Sequence, residues 1–382
     1  MSEIIIKKVE TKKEMKAFIR FNYELYKDSP YAVPDFLEDT MDTFDREKNP
    51  AFEFCDADWF LAYRDGKIVG RVVAIINSRA NDTWQTKNVR FGWIDFVDDA
   101  EVSRLLIQTV EQWGQERGMT HIVGPMGFTD MDPEGMLFEG FDYMGNMSTI
   151  YNYPYYNTHM EQMGFKEEAV WVERQIKVPQ KGETGEFDKF LRVSQLVERR
   201  YGFRLRKFKS KKEIYKGDYV KKIFHIINVA YKDLYGYSEM TERQVDVLAK
   251  TYLQYLDLRF LSIVENKEGE PIAVGICMGS VSEAIRKAKA KLLPFGWYHM
   301  IKGLFFNKSN TLDMLLYGTL PEYRDTGCVS LIVADAMKVA QDMEYKLADV
   351  MPQLDTNVKG QATWKSFDNV ISKRRHAWAK KI

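Results

Sequence analysis

The chain has 382 residues, of which 45% are hydrophobic, 14% aromatic and 29% charged. Lys plus Arg and Asp plus Glu each total 55, so no global basic field exists to hold nucleic acid or an anionic surface, and the aromatic content excludes a disordered chain. About 100–200 residues per domain makes two domains the natural expectation.

The opening MSEIIIKKVETKKEM turns charged after three isoleucines, unlike a secretory signal, and no run of about 18 apolar residues follows to cross a membrane. Cys55, Cys277 and Cys328 lie too far apart for a disulfide framework or a paired metal site. A reduced, cytoplasmic protein is expected. A strand is expected over Ile4–Val9, then a helix over Lys12–Tyr26, where Met15, Phe18, Ile19, Tyr23 and Tyr26 recur at helical spacing. WFLAYRDGKIVGRVVAII reads as a hairpin about Asp65-Gly66, VRFGWIDF as a strand, and Val102–Arg117 as a helix stopped by Gly118. A buried strand HIVGPM, a short helix YYNTHMEQMGF and a strand AVWVERQIKV complete this half. VPQKGETGEFDKF has Pro179, Gly182 and Gly185 among charges and marks a joint over residues 179–190.

The second half repeats the order. FRLRKFK is a strand, Tyr219–Tyr231 and Thr241–Leu256 are helical, and RFLSIVENKEGEPIAVGICM is a hairpin. Strand TLDMLLYGTL, helix Val329–Met343, strand LADVMPQL, helix NVKGQATWKSF and closing strand VISKRRHAWAK follow. The expectation is an α/β protein, each half (1–178 and 191–382) built on a mixed sheet covered by helices on both faces.

The segment LDMLLYGTLPEYRDTGCVSLIVADAM carries the most chemistry. Its strand ends at Leu320-Pro321 and a helix begins just past Gly327. A helix start offers unpaired N–H groups and partial positive charge, and Arg324 adds a guanidinium fork, so a pyrophosphate could sit there. The same pattern also describes an ordinary strand–loop–helix corner with a surface arginine.

PEYRDTGCVSLIVADAM resembles the acetyl-CoA loop of the GNAT acyltransferases, in which a Pro-x-Tyr-Arg-x-x-Gly loop joins the fourth strand to the third helix. KLLPFGWYHMIKGL, LADVMPQLDTN and SKRRHAWAK, with VGPMGFTDMDPEGMLFEGFD and YNYPYYNTHMEQMGF in the first half, are similar to a bacterial tandem-GNAT family, the YghO-like proteins. The acceptor expected is a small-molecule or lipid amine, and because the five histidines make no metal-ligand spacing, no metal is expected. This resemblance implies acetyl-CoA or a longer acyl-CoA as co-substrate. It also implies that the backbone of Tyr317, Gly318, Thr319 and Leu320 faces the pantetheine and thioester, that Arg324, Thr326, Gly327, Cys328 and Val329 surround the pyrophosphate, and that Asn357 bonds the pantetheine. Two departures stand out: Cys328 and Val329 replace a second glycine after Gly327, and KGQATWKSF lacks the tyrosine that many relatives use as general acid.

In the first half the equivalent corner reads VDDAEVS, with three acidic residues and no R-x-x-G. Carboxylates there repel phosphate, so this half is expected to be a scaffold or to bind the acceptor. For proton removal the expected candidate is Asp355, at the C-terminal end of a strand, where open α/β sheets present ligand groups; an Asx-turn or N-cap is the competing role. Tyr317 is a candidate acid or a core tyrosine. The tyrosines of YNYPYYN and Asn152 are expected in packing, with a pocket lining as the alternative. The stretch from Asp35, DFLEDTMDTFDREKNP, is expected to be a solvated surface or a greeting site for a cationic amine.

Residues 285–308 combine basic side chains with Leu292, Leu293, Phe295, Trp297, Tyr298, Leu304, Phe305 and Phe306. A lid packed on the sheet is expected, with peripheral membrane contact or an acyl-chain cover as the alternative. The sum is an N-acyltransferase working by direct transfer. Two alternatives stand beside it: a non-catalytic tandem module, and an aminoacyl-tRNA-dependent transferase, which would need a basic groove.

Overall fold

A computed structural model describes residues 2–182, 185–253, 255–306 and 309–382, apart from the side chains of Glu186, Phe305 and Phe306. Residues 183 and 184 of the expected joint, and residues 307 and 308 with the side chains of Phe305 and Phe306 in the expected lid, therefore lie outside the described residues.

Among the described residues, thirteen strands run in chain order: β1 Ile4–Lys8, β2 Cys55–Arg64, β3 Lys67–Asn77, β4 Asn88–Phe96, β5 His121–Gly124, β6 Met136–Glu139, β7 Lys166–Lys177, β8 Arg204–Arg206, β9 Leu261–Glu265, β10 Pro271–Gly279, β11 Thr311–Thr319, β12 Leu347–Leu354 and β13 Asn369–Lys381. They form one sheet ordered β1-β2-β3-β4-β5-β13-β7-β12-β11-β10-β9-β8, with β6 paired to β13 off this path. The closing strands are exchanged. β13, from the end of the chain, lies between β5 and β7 of the first half, and β7 pairs with β12 of the second. In each half one ladder is parallel, β4 with β5 and β11 with β12.

Helices cover both faces. Along β2, Phe60 and Ala62 face the helix Ala100–Gln115, whereas Trp59 and Leu61 face the helix Lys12–Tyr26, the period-2 alternation of a sheet buried on both sides. The Lys12–Tyr26 helix starts where Thr11 and Glu14 form a reciprocal capping box. In the second half the helices Tyr219–Tyr231 and Glu242–Tyr252 share one cluster with Ile263 and Val274, and the helix Val329–Asp342 packs with Val264 and Ala273 on the other side. Among the helices not foreseen, Glu186–Tyr201 begins inside the expected joint, and its Phe187 packs on Phe367.

Charges are buried at the strand exchange. Glu173 on β7 accepts from Arg375 at 2.6 Å and from Lys373 at 3.1 Å, all three at most 3% exposed. Burial pushes the Glu173 carboxyl up, and Arg375 and Lys373 more than offset this, holding it below the usual range. Arg375 also donates to the carbonyls of Gly135 and Ile150. Removing one partner would strand a buried charge, so the ladder is specified by charge as well as by apolar pattern.

Candidate active site between the two halves

The parallel ladder of β11 and β12 runs from Thr311↔Leu347 to Met314↔Val350 and stops, although both strands continue. Two irregularities part them. Leu315 is an extra residue on β11, since Ile276 faces Leu316 and Cys277 faces Met314. On β12 the register to β7 shifts between Val350 and Gln353, across Pro352, which has no N–H to donate. A cavity of about 320 Å³ opens at this gap, lined by Met314, Leu316, Tyr317, Val350, Met351 and Asn357 among others. Tyr317 and Gln353 hydrogen-bond across the gap, with the Gln353 amide as donor. Gln353 Oε1 accepts from Trp364 Nε1 at 3.0 Å, and the Trp364 ring stands edge-on to Tyr317. Burial raises the Tyr317 hydroxyl to about 12, with the Gln353 bond acting the other way.

The opposite wall comes from the first half. The loop after β5, in GPMGFTDMDPEG, brings Asp130, Met131, Asp132 and Glu134 to the same cavity. Arg90 fixes one end of it, donating to the carbonyls of Gly127 and Phe128 and to that of Gly236 in the second half. Arg375 fixes the other end through Gly135. Asp132 accepts from the Thr129 N–H at 2.9 Å, whereas Glu134 Oε2 is buried without a hydrogen-bond partner. Burial raises all three carboxyls: Asp130 to about 7, with Arg90 opposing and Asp132 reinforcing the rise; Asp132 to about 6, restrained by Thr129; and Glu134 well above its usual range, with Asp130 adding to the rise. Proton acceptors poised near neutrality suit general-base work on an ammonium.

A second cavity, about 450 Å³, adjoins the first and shares Met131, Asp132, Met147 and Met278 with it. Asp35, Glu38, Asp39 and Asp42 line it together with the apolar Ile285, Leu292, Met300 and Leu304. The acidic stretch is thus part of a cavity wall. Asp35 pairs with buried Arg71 at 2.6 Å, and Glu38 accepts the Leu292 N–H. Burial raises the Asp39 carboxyl, with Asp42 and Asp35 adding to it.

The expected cofactor residues fall into two groups. Tyr317 and Asn357 line the gap. Asn357 caps the following short helix through Gly360 N–H at 3.0 Å, and the Tyr317 carbonyl accepts from the Tyr231 hydroxyl at 3.0 Å. Gly318 and Thr319 are paired with Val274 and Ala273, and the Leu320 N–H is taken by Ile272, so these three are ladder residues set against β10. Arg324, Thr326, Gly327, Cys328 and Val329 form the surface corner beyond β11. Arg324 is exposed and donates to the Ala230 carbonyl; Thr326 Oγ1 accepts the Cys328 N–H; Gly327 turns the chain at φ +81°. Cys328 is fully buried, and its thiol is raised by burial, with bonds to Thr326 and Thr319 acting the other way. Asp355 is exposed just past the end of β12 and lines neither cavity. The tyrosine run is mostly packing: Tyr156 is fully buried on Tyr26 and Asp95, and Asn152 bonds both backbone groups of Leu137, while Tyr151 reaches the second cavity.

The corresponding places in the first half are filled. β4 and β5 part after Arg90↔Val123, but the loop behind β5 closes the opening: Met126 N–H bonds the Phe91 carbonyl, and a Cβ on Gly92 would meet the Met126 carbonyl at 2.5 Å. At the helix start, Asp99 caps Glu101 and Val102 and pairs with Arg64 at 2.6 Å. A carboxylate of the chain itself occupies what would be an anion site.

Two halves of this order, each with a parted parallel ladder between its fourth and fifth strands, define a tandem GNAT fold. The solved tandem GNAT protein from the clavulanic acid biosynthesis pathway superposes with a TM-score of 0.57 at 10% identity, covering 99% of this chain and 98% of that one. A GCN5-related N-acetyltransferase from Sphaerobacter thermophilus does so with a TM-score of 0.52 at 11% identity, covering 99% and 95%. In sequence the chain is 28% identical over 344 residues to the bacterial ceramide synthase of Caulobacter vibrioides, covering 89% of this chain and 86% of that protein. It is 25% identical over 338 residues to Protein YghO of Escherichia coli, covering 86% and 82%. No family model matches. In sequence the chain is thus similar to YghO and to the ceramide synthase, and its fold is that of the tandem GNAT proteins.

Proposed function

We propose that the protein is an N-acyltransferase that moves an acyl group from an acyl-CoA directly to the amine of a long-chain lipid. The observation that carries this reading is the gap past Met314 and Val350, opening onto the carboxylates of the first-half loop. Backbone groups that the ladder would have used lie beside the gap and can polarise a thioester carbonyl. The corner at Arg324 and Gly327 offers the pyrophosphate a guanidinium and a helix start.

An amine enters as ammonium and must lose a proton before attack. Asp130, with Glu134 beside it, takes that proton; the neutral amine nitrogen forms a bond to the acyl carbon, the carbon–sulfur bond breaks, and the nitrogen's second proton replaces the one Tyr317 gives to the sulfur. Tyr317 stands where it can return a proton to the leaving thiolate. Its oxygen already accepts from Gln353, which leaves its own hydrogen free to donate. This makes Tyr317 the acid and moves the base from Asp355 to the first-half loop.

The acidic and apolar walls of the larger cavity suit an acceptor with a cationic head and an aliphatic tail. The ceramide synthase relative supports the lipid, since a ceramide is an N-acylated long-chain amino alcohol. The test is incubation with palmitoyl-CoA, or acetyl-CoA, and a long-chain amino alcohol, following free thiol release and amide mass. Thiol and amide released in equal amounts are expected with the long donor. Folded protein that binds neither thioester would instead support a non-catalytic tandem module.

A further inference from the structure

The segment from Ser282 to Leu304 covers the larger cavity, and its outer face is unlike the rest of the surface. Its inward side chains, Ile285, Leu292, Met300 and Leu304, line the cavity. Its outward ones include Leu293 at 70% exposure, Phe295 at 74%, Trp297 at 48%, Tyr298 at 51% and Ile301 at 44%, five large apolar groups within nine residues. Isolated exposed apolar residues are ordinary; a contiguous cluster is not.

Charge sets the cluster apart further. From Ala284 to Leu312 the sequence has six Lys and Arg and no Asp or Glu, in a chain whose charges balance. Lys287, Lys289 and Lys302 are exposed, and Lys302 stands 5.7 Å from the Tyr298 ring centroid. The segment is also anchored. Arg20 donates to the Lys289 carbonyl at 2.7 Å, Leu37 N–H to the Ala290 carbonyl at 2.9 Å, and Arg286 to the Ser29 carbonyl at 2.9 Å. The apolar face is therefore held outward by bonds to the first half.

We infer that residues 285–304 dock on an anionic lipid bilayer, the aromatic and aliphatic side chains entering the headgroup region while the lysines face lipid phosphates. Aromatic rings with polar tips beside lysines match the chemistry of the membrane interface, and a protein partner would not require the acid-free stretch. Because the same residues roof the larger cavity from within, docking sets that cavity against the bilayer. This surface goes beyond the acyltransferase reading and stands without it.

The test is flotation of the full chain with vesicles of phosphatidylcholine alone or mixed with phosphatidylglycerol. Wild type is expected to float with the mixed vesicles and to be released by high salt. The double variant Phe295→Ser with Trp297→Ser, neither residue lining a cavity, is expected to lose about tenfold or more of this binding. Its circular dichroism and its thiol release with detergent-dispersed acceptor should stay unchanged. Folded wild type that ignores anionic vesicles, or a variant that binds them equally, would overturn the inference. So would a concentration-dependent dimer that the two substitutions abolish, since a second copy would then cover the face. Vesicle binding without any thiol release would leave the docking surface standing and remove the acyltransferase reading.

Discussion

Both halves part their parallel strands, after Arg90↔Val123 in the first and after Met314↔Val350 in the second. In the first half the Gly124–Phe128 loop folds back onto Phe91 and Gly92 and fills the opening. In the second the opening is a cavity, and its far wall is the continuation of that same first-half loop, Asp130 to Glu134. The difference teaches that a repeated fold need not repeat a site. One copy's opening is filled, and the segment that fills it runs on into the carboxylate-bearing wall of the other copy's cavity.

The largest way to break this comparison is to neutralise the donated carboxylates. Asp130→Asn with Glu134→Gln is expected to lower the rate of amide formation by roughly 10²–10⁴-fold while leaving acyl-CoA binding intact. The wild-type rate should rise as pH passes upward through about 7, because the raised Asp130 carboxyl must be ionised to accept a proton. That limb of the pH–rate profile should disappear in the double variant. Next in size, Leu316→Trp would fill the second gap as Phe91 and its loop fill the first. Calorimetric acyl-CoA affinity is expected to fall by roughly 2–3 kcal/mol with the fold retained. Arg324→Ala should cost about 1.5 kcal/mol of coenzyme A binding, the low end for a charged hydrogen bond, because the side chain is exposed. Asp99→Ala, in the mirror position, should cost about 1 kcal/mol of stability in a denaturant titration, through the lost helix cap, and change no ligand affinity.

Much of the architecture is legible in the chain itself. The helix Lys12–Tyr26 and the β2–β3 hairpin follow from local spacing, and the GNAT-like corner at Tyr323 to Val329 from its residues. The helix Glu186–Tyr201 is hidden because it starts within a Gly- and charge-rich stretch and its Phe187 and Phe190 meet Phe367 from far along the chain. The exchange of β7 and β13 was also illegible, since period-2 patterning says that a strand is buried and not which strand it joins. The sequence offers Asp355 as a base because it ends a strand; whether such an end borders a cavity is a matter of tertiary placement. Asp130 and Glu134 carried one available signal, three carboxylates at alternate positions in a loop otherwise rich in Gly, Met and Pro. What raises them is burial against the other half, which no local spacing contains.

The crossing of the closing strands has a consequence for how the molecule can be taken apart. A fragment ending near residue 178 would keep β7 but lose the strand that lies between it and β5, leaving two raw ladder edges and a buried Glu173 with neither cation. The complementary fragment would carry β13 with no lane to enter. Made separately, the two pieces should be insoluble; made together, they should knit into a working whole.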